Sequence, residues 1–206
     1  MDIGRQLAHG QNISNKVALV YRKRIEVAQE HFAQAPVRAS MSFVGVEPVE
    51  VLRFEPIPGE RAYVSLGMAR RPMTGAGEFV QQAHGPRAEL MLHVRDPTDS
   101  FSEVWRSLAV LAAAPAVEGV VYTVGMTVDL GNPLSPGVRC TGVLVQESVI
   151  GGVDTAAGPV DVLQVVPATA TELAWCRVHG SAALRERWAE QHTDLLDLER
   201  AAVDLT

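Results

Sequence analysis

Between residues 100 and 114 apolar side chains recur at helical spacing. Phe101, Val104, Trp105, Leu108, Leu111 and Ala112 stand at i, i+3, i+4, i+7, i+10 and i+11. That stripe predicts a helix with one face laid on a sheet. Ser100 and Glu103 have the spacing of a capping box, which would satisfy free N–H groups at the helix start. Pro115 predicts its end, because proline lacks an N–H and crowds the preceding turn. Residues 12–35 show a second helical pattern, with Val17, Val20, Tyr21, Ala28, His31 and Phe32 near one face and Pro36 as the stop. Arg22, Lys23 and Arg24 form a basic cluster there, read as a solvated face. Thr169 and Glu172 repeat the capping-box spacing just after Pro167, Gly180 suits a helix-closing position, and Ser181 opens a further helix across Leu184 to His192. The stretch Asp194 to Asp204 has no clear period.

Elsewhere the period shortens to that of strands. Val49–Phe54, Ala62–Met68 and Ala88–Val94 read as strands, with Pro56-Ile57-Pro58-Gly59 as a turn between the first two. Met73 to Pro86 carries Gly75, Gly77 and Gly85 and reads as a loop. Val120–Leu130 and Thr141–Gln146 are further strand candidates. Gly151-Gly152 and Gly158-Pro159 bracket a loop, and Val160–Val166 is apolar enough for a central strand. Strands come in runs rather than alternating with helices. The fold class expected is therefore α+β: a single domain with a mostly antiparallel or mixed sheet packed with helices, and a long N-terminal helix. The expected organisation is a helical extension over 1–46 and the domain proper over 47–206.

Composition narrows the function classes. The chain has 206 residues, 47% of them hydrophobic and 20% charged, which is a globular balance. Its 24 acids and 18 bases give a net charge of −6. That argues against nucleic acid as a partner, since such domains are usually basic. The first residues carry no apolar signal-peptide core, and no run approaches the ~20 apolar residues of a membrane span. A cytoplasmic protein with two reduced thiols, Cys140 and Cys176, is expected.

Candidate chemistry is sparse. There is no Walker A sequence, and Gly75-Ala76-Gly77 lacks the strand-to-helix setting of a dinucleotide loop. No G-x-S-x-G elbow is present. The six histidines are scattered without a ligand spacing, so neither a metal nor another cofactor is expected. Cys176 and His179 stand i, i+3 and could share a helix face. A nucleophilic thiol needs an exposed site and a lowered pKa, and Cys176 between Trp175 and Arg177 looks like packing. Asp194, Asp197, Glu199 and Asp204 form an acidic cluster, read as a solvated edge rather than an acid–base pair. No catalytic residue is assigned.

Several short strings, in order, resemble the Suppressor of Fused (SUFU) domain family in the compact form of its bacterial members. They are Val49–Pro56; Tyr63-Val64-Ser65-Leu66-Gly67-Met68 with Met73; Arg87–Leu92; Trp105, Leu108 and Ala109; Gly125–Leu130 with Asn132-Pro133-Leu134; Val162–Thr169 with Glu172-Leu173, Gly180 and Leu184; and Leu196–Arg200. The resemblance covers roughly residues 47–203. It implies a non-enzymatic protein-binding module. Animal members hold a transcription-factor peptide as an added β-strand between this domain and a second one, a general mode of recognition. Bacterial members are associated with polymorphic toxin systems, where an immunity role is implied: an acidic protein binding and neutralising a basic toxin domain would gain from electrostatic steering. A scaffold or regulatory adaptor in a secretion or signalling assembly is the alternative, and a Cys/His-dependent enzyme a remote one. Glu147 aligns with an acid that animal members use for partner binding. The positions of their Asp and Tyr hold Met126 and Ala114 here, so the animal peptide specificity is not expected to carry over.

Overall fold

The computed structural model describes residues 26–75, 85–155 and 158–206. Residues 26–32 are helical (α1). Then follow β1 (Val37–Phe43), β2 (Val46–Phe54), β3 (Glu60–Leu66), β4 (Ala88–Arg95), α2 (Val104–Val117), β5 (Thr127–Asp129), β6 (Cys140–Glu147), β7 (Val153–Thr155), β8 (Gly158–Thr169), α3 (Ala170–His179) and α4 (Ser181–Glu190). The strands form one mixed sheet in the order β1-β2-β3-β4-β8-β6-β5, with β7 added to β8. Every pairing is antiparallel except β4 with β8, where Ala88 is aligned with Asp161.

Three layers result. On one face, Leu108, Leu111 and Ala112 of α2 pack on Val49, Val51, Leu90, Leu92, Val143, Val145 and Val165. On the other, Ala28 of α1 meets Leu52, Ala62, Val64 and Leu66, and the Phe32 ring stacks on Phe54 at 4.5 Å. Beside α1 on that face, Leu173, Cys176, Leu184 and Trp188 of α3 and α4 cover Leu144, Val166 and Ala168. Alternation along the strands sends odd residues of β2 and β6 to α2 and even ones to the opposite layer. β4 is buried on both sides over most of its length, which explains its nearly continuous apolar sequence.

Several expectations change. Of the helix read over 12–35, residues 12–25 lie outside the described residues, including Val17, Val20, Tyr21 and the Arg22–Arg24 cluster. The helical turns end at 32, where Ala33 takes a positive φ of 52°, ahead of Pro36. The helical reading of 1–46 also fails over 37–43, which is the strand β1. Only its Ala39, Met41 and Phe43 are partly buried, so an edge strand with one polar face gave little apolar signal. β7 occupies part of the stretch read as a loop. The strand read over Val120–Leu130 shrinks to Thr127–Asp129, and residues 119–126 run irregularly from α2 back to the sheet.

The Ser100–Glu103 capping box does not form. The buried carboxylate of Asp96 accepts from the Ser100 amide at 2.8 Å and the Phe101 amide at 3.1 Å, and α2 starts only at Val104. Pro115 does not end α2 either. The carbonyl it cannot serve, that of Leu111, accepts instead from the Tyr122 hydroxyl at 2.7 Å, and the helix runs on to Val117. The box at Thr169 is present: its hydroxyl accepts from the Glu172 amide while its own amide donates to Glu172. Gly180 links α3 to α4 at φ 89°.

Candidate functional site

One end of the sheet carries Met126 and Glu147, two of the three positions that the resemblance aligns. β5 is short and terminates the sheet, so its outer backbone edge is unpaired among the described residues. Its inner edge is held by β6, with Thr127 opposite Leu144, Val128 opposite Val143 and Asp129 opposite Gly142. The pairing continues before β5, where the Gly125 amide donates to Val145 and the Val145 amide to Met126, both at 2.8 Å. A side chain at Gly142 would place its Cβ 2.1 Å from the Val128 carbonyl oxygen, so this close approach requires glycine.

Glu147 closes β6 opposite Leu163. By alternation it falls on the α2 side with Val143 and Val145. It is exposed and makes no hydrogen bond or ion pair with a described residue. Met126 and Ala114 belong to the hydrophobic layer on this same side. The three aligned positions thus share the α2 face of the sheet; Met126 and Glu147 lie toward its β5 end, whereas α2, which carries Ala114, packs on β1–β4. Val117, Val124 and Val149, each a few residues from one of them, are large exposed apolar side chains. The Tyr122–Leu111 hydrogen bond ties the irregular 119–126 segment to α2 and so fixes the approach to β5.

Two buried carboxylates bring together four of the remaining resemblance strings. Glu89 of β4 accepts from the Ser65 hydroxyl at 2.6 Å and from the amides of Gly67 and Ala69 at 2.9 and 3.2 Å. The Ser65-Leu66-Gly67-Met68 and Arg87-Ala88-Glu89 strings therefore meet at one carboxyl group. Glu172, fully buried, accepts from Arg200 at 2.6 and 2.9 Å, from the Trp188 indole at 3.0 Å and from the Thr169 and Val203 amides at 2.8 and 3.2 Å. Burial by itself would raise its pKa. The Arg200 hydrogen bonds, followed by those of Thr169 and Trp188, outweigh it and hold the carboxyl below the ordinary range. The Glu172-Leu173 and Leu196–Arg200 strings thus meet at a second centre, which pins the irregular C-terminal segment. Sequence reasoning saw the Thr169–Glu172 box and missed that the same carboxylate would recruit Arg200.

The other candidates are not assembled for chemistry. Cys176 is buried and desolvation pushes its thiol pKa up; Cys140 is pushed to about 11 by the same cause. The His179 ring lies stacked on Trp175 with centroids 4.1 Å apart. In the acidic cluster, Asp194 pairs with Arg95 and caps the Leu196 amide, Asp197 caps the Glu199 amide, and Asp204 caps Thr206. These carboxylates close turns. Among the described residues no three His, Cys, Asp or Glu side chains converge as metal ligands, and no helix is long and apolar enough to cross a membrane.

The sequence profile described as Suppressor of fused protein (SUFU) matches residues 45–201. The chain belongs to this family. Comparison with curated protein sequences gives no match. Among solved structures, the SUFU fold recurs in the Sufu–Fu complex, at TM-score 0.63 and 13% identity, over 88% of this chain and 91% of that one. It recurs in a SUFU homolog from Neisseria gonorrhoeae FA 1090, at TM-score 0.61 and 19% identity, over 91% of this chain and 99% of that one. Drosophila Suppressor of Fused matches at TM-score 0.60 and 14% identity, over 86% of this chain; the match spans 50% of the Drosophila chain. The resemblance read from short strings is thereby shown, and with it the mixed-sheet fold.

Proposed function

We propose that this SUFU-family chain is a non-enzymatic binding module that holds a segment of another protein at the β5 end of its sheet, with Glu147 as a charged anchor. The observation that carries the reading is Glu147 itself: an exposed carboxylate without a partner among the described residues, at the end of β6, the strand that pairs with the short edge strand β5. An unpaired strand edge supplies backbone hydrogen bonds, and neighbouring side chains supply selectivity. A structural neighbour is known in a complex, the Sufu–Fu complex, which supports a protein-binding role here.

The partner proposed is a basic toxin domain, which this protein neutralises in the cytoplasm as an immunity protein. The net charge of −6 supports that choice, because opposite charge accelerates encounter. The test is a tagged pull-down from the native host at low and high salt, repeated with Glu147→Lys. A single stoichiometric toxin-domain partner, weakened by salt and lost with Glu147→Lys, is the expected result. Several structural or signalling partners would replace immunity by an adaptor role. Full retention by a folded Glu147→Lys variant would remove the site.

A further inference from the structure

At the opposite end of the sheet a second concavity opens between β1 and the start of α2. It has a volume of about 180 Å3 and is lined by β1 residues Val37–Ala39, by Val51, Arg53 and Tyr63, and by Ser102 and Trp105. For scale, a cavity of about 150 Å3 accepts a benzene-sized guest. The lining is mixed. Trp105 and Val51 offer apolar contact, while Ser102, Arg53 and Tyr63 offer donors.

Tyr63 is the informative residue. It is only 1% exposed, yet its hydroxyl has no hydrogen-bond partner among the described residues. Buried tyrosine hydroxyls are normally paired, as that of Tyr122 is, because an unmet polar group in the interior is costly. Arg53 lies directly across from Tyr63 in the sheet register, and Val37 directly across from Arg53, so a single row leads from the floor to the mouth. Arg53 donates one hydrogen bond to Asp99 at 2.9 Å, and its guanidinium carries further N–H groups. Arg61 also faces Asp99 and pairs with Glu55 at 2.7 Å, so the surrounding charge is nearly balanced. Asp96 is occupied by the amides of Ser100 and Phe101. What the concavity presents to a guest is therefore a set of donors beside an aromatic wall.

We propose that this concavity binds a carboxylate on a short apolar stem, the acid accepting from the Tyr63 hydroxyl and Arg53 while the stem lies against Trp105. Burial pushes the Tyr63 pKa up to about 12, so the hydroxyl keeps its proton at neutral pH. The acid belongs either to a free small molecule or to a glutamate side chain on a partner strand passing β1. The site is separate from Glu147 and stands or falls without it.

The test is an NMR titration of the whole chain with 3-phenylpropionate and with 3-phenylpropionamide. Saturable shifts at residues 37–39, at 102–105 and at the Trp105 indole are expected for the acid, with the amide about tenfold weaker or more, roughly 1.4 kcal/mol. Tyr63→Phe keeps the ring and should weaken the acid and the amide alike, since the carbonyl oxygen of either accepts from the hydroxyl. Arg53→Gln removes the cation and should weaken the acid several-fold with little effect on the amide, and it serves if Tyr63→Phe does not fold. Equal binding of acid and amide, shifts elsewhere, or unchanged affinity in both variants would overturn the proposal. A five-residue strand peptide with a central glutamate distinguishes the sources: tighter binding than the free acid assigns a protein-borne ligand, and weaker binding a small acid.

Discussion

The residue that best rewards attention to hydrogen bonding is Pro115. A proline inside a helix leaves the carbonyl four residues earlier without its donor. Here Tyr122 supplies one from outside the helix. Tyr122→Phe should therefore cost about 1–3 kcal/mol, the penalty for a buried acceptor left unmet. In the Pro115→Ala background a backbone N–H becomes available to Leu111, so the cost of Tyr122→Phe should shrink; paired denaturant curves for the four variants measure the coupling. Glu172 makes a pH-dependent prediction. Its folded pKa is depressed, so its stabilising contribution is present above the unfolded glutamate value, about 4.3, and is lost as pH falls through the lower folded value. Thermal unfolding should show this acid-side loss, and Glu172→Gln should flatten it. At neutral pH the same substitution leaves the Arg200 charge buried and short of its partner, at a cost of about 3–5 kcal/mol. The two thiols, buried and with raised pKa values, should react with Ellman's reagent only on unfolding, at a rate that follows denaturant.

At the scale of elements, the strongest prediction concerns β5. Gly142→Ala forces a methyl group against the Val128 carbonyl oxygen and the Asp129 Cα, backbone atoms that cannot retreat cheaply. β5 should detach from β6 while the rest of the sheet persists. Hydrogen exchange would then show lost protection at 127–129 with β3 and β4 intact. This end of the molecule also shows what sequence could not convey. The apolar pattern located β2, β3, β4, β6 and β8 because these strands are largely buried, β3, β4 and β6 on both faces. It overextended β5, since Val120 and Val121 are apolar for packing on the α2-side core rather than for pairing. It missed β1, whose serines face solvent at the edge. It placed the start of α2 at Ser100 because nothing local reveals that Asp96 captures the Ser100 amide first. The Thr169 box was legible because all its partners lie within four residues. Arg200 was not, because it reaches Glu172 from a segment without period.

For the whole molecule, the family strings were individually weak and collectively sufficient. Four of them meet at two buried carboxylates, Glu89 and Glu172. The candidate site was legible only as an alignment position. Nothing in the residues near Glu147 signals a partner, and its exposure, its place at the end of β6 and its shared face with Met126 and Ala114 emerge only from topology. Isothermal titration with the partner, once isolated, should show Glu147→Lys weakening binding by about tenfold or more at unchanged melting temperature, since the side chain supports no described contact.

The one parallel pairing in this sheet bears on how the protein is made. β4 and β8 lie side by side, but Ala88 and Asp161 are separated in the chain by α2, β5, β6 and β7. During synthesis the β1–β4 meander can zip up as soon as it leaves the ribosome, and it then waits with an apolar strand edge open until β8 arrives. A nascent chain stalled after α2 should therefore recruit chaperones or self-associate, whereas one released past Thr169 should not. Refolding from denaturant should likewise be limited by this long-range closure, with the open edge of β4 as the point where crowding does its damage.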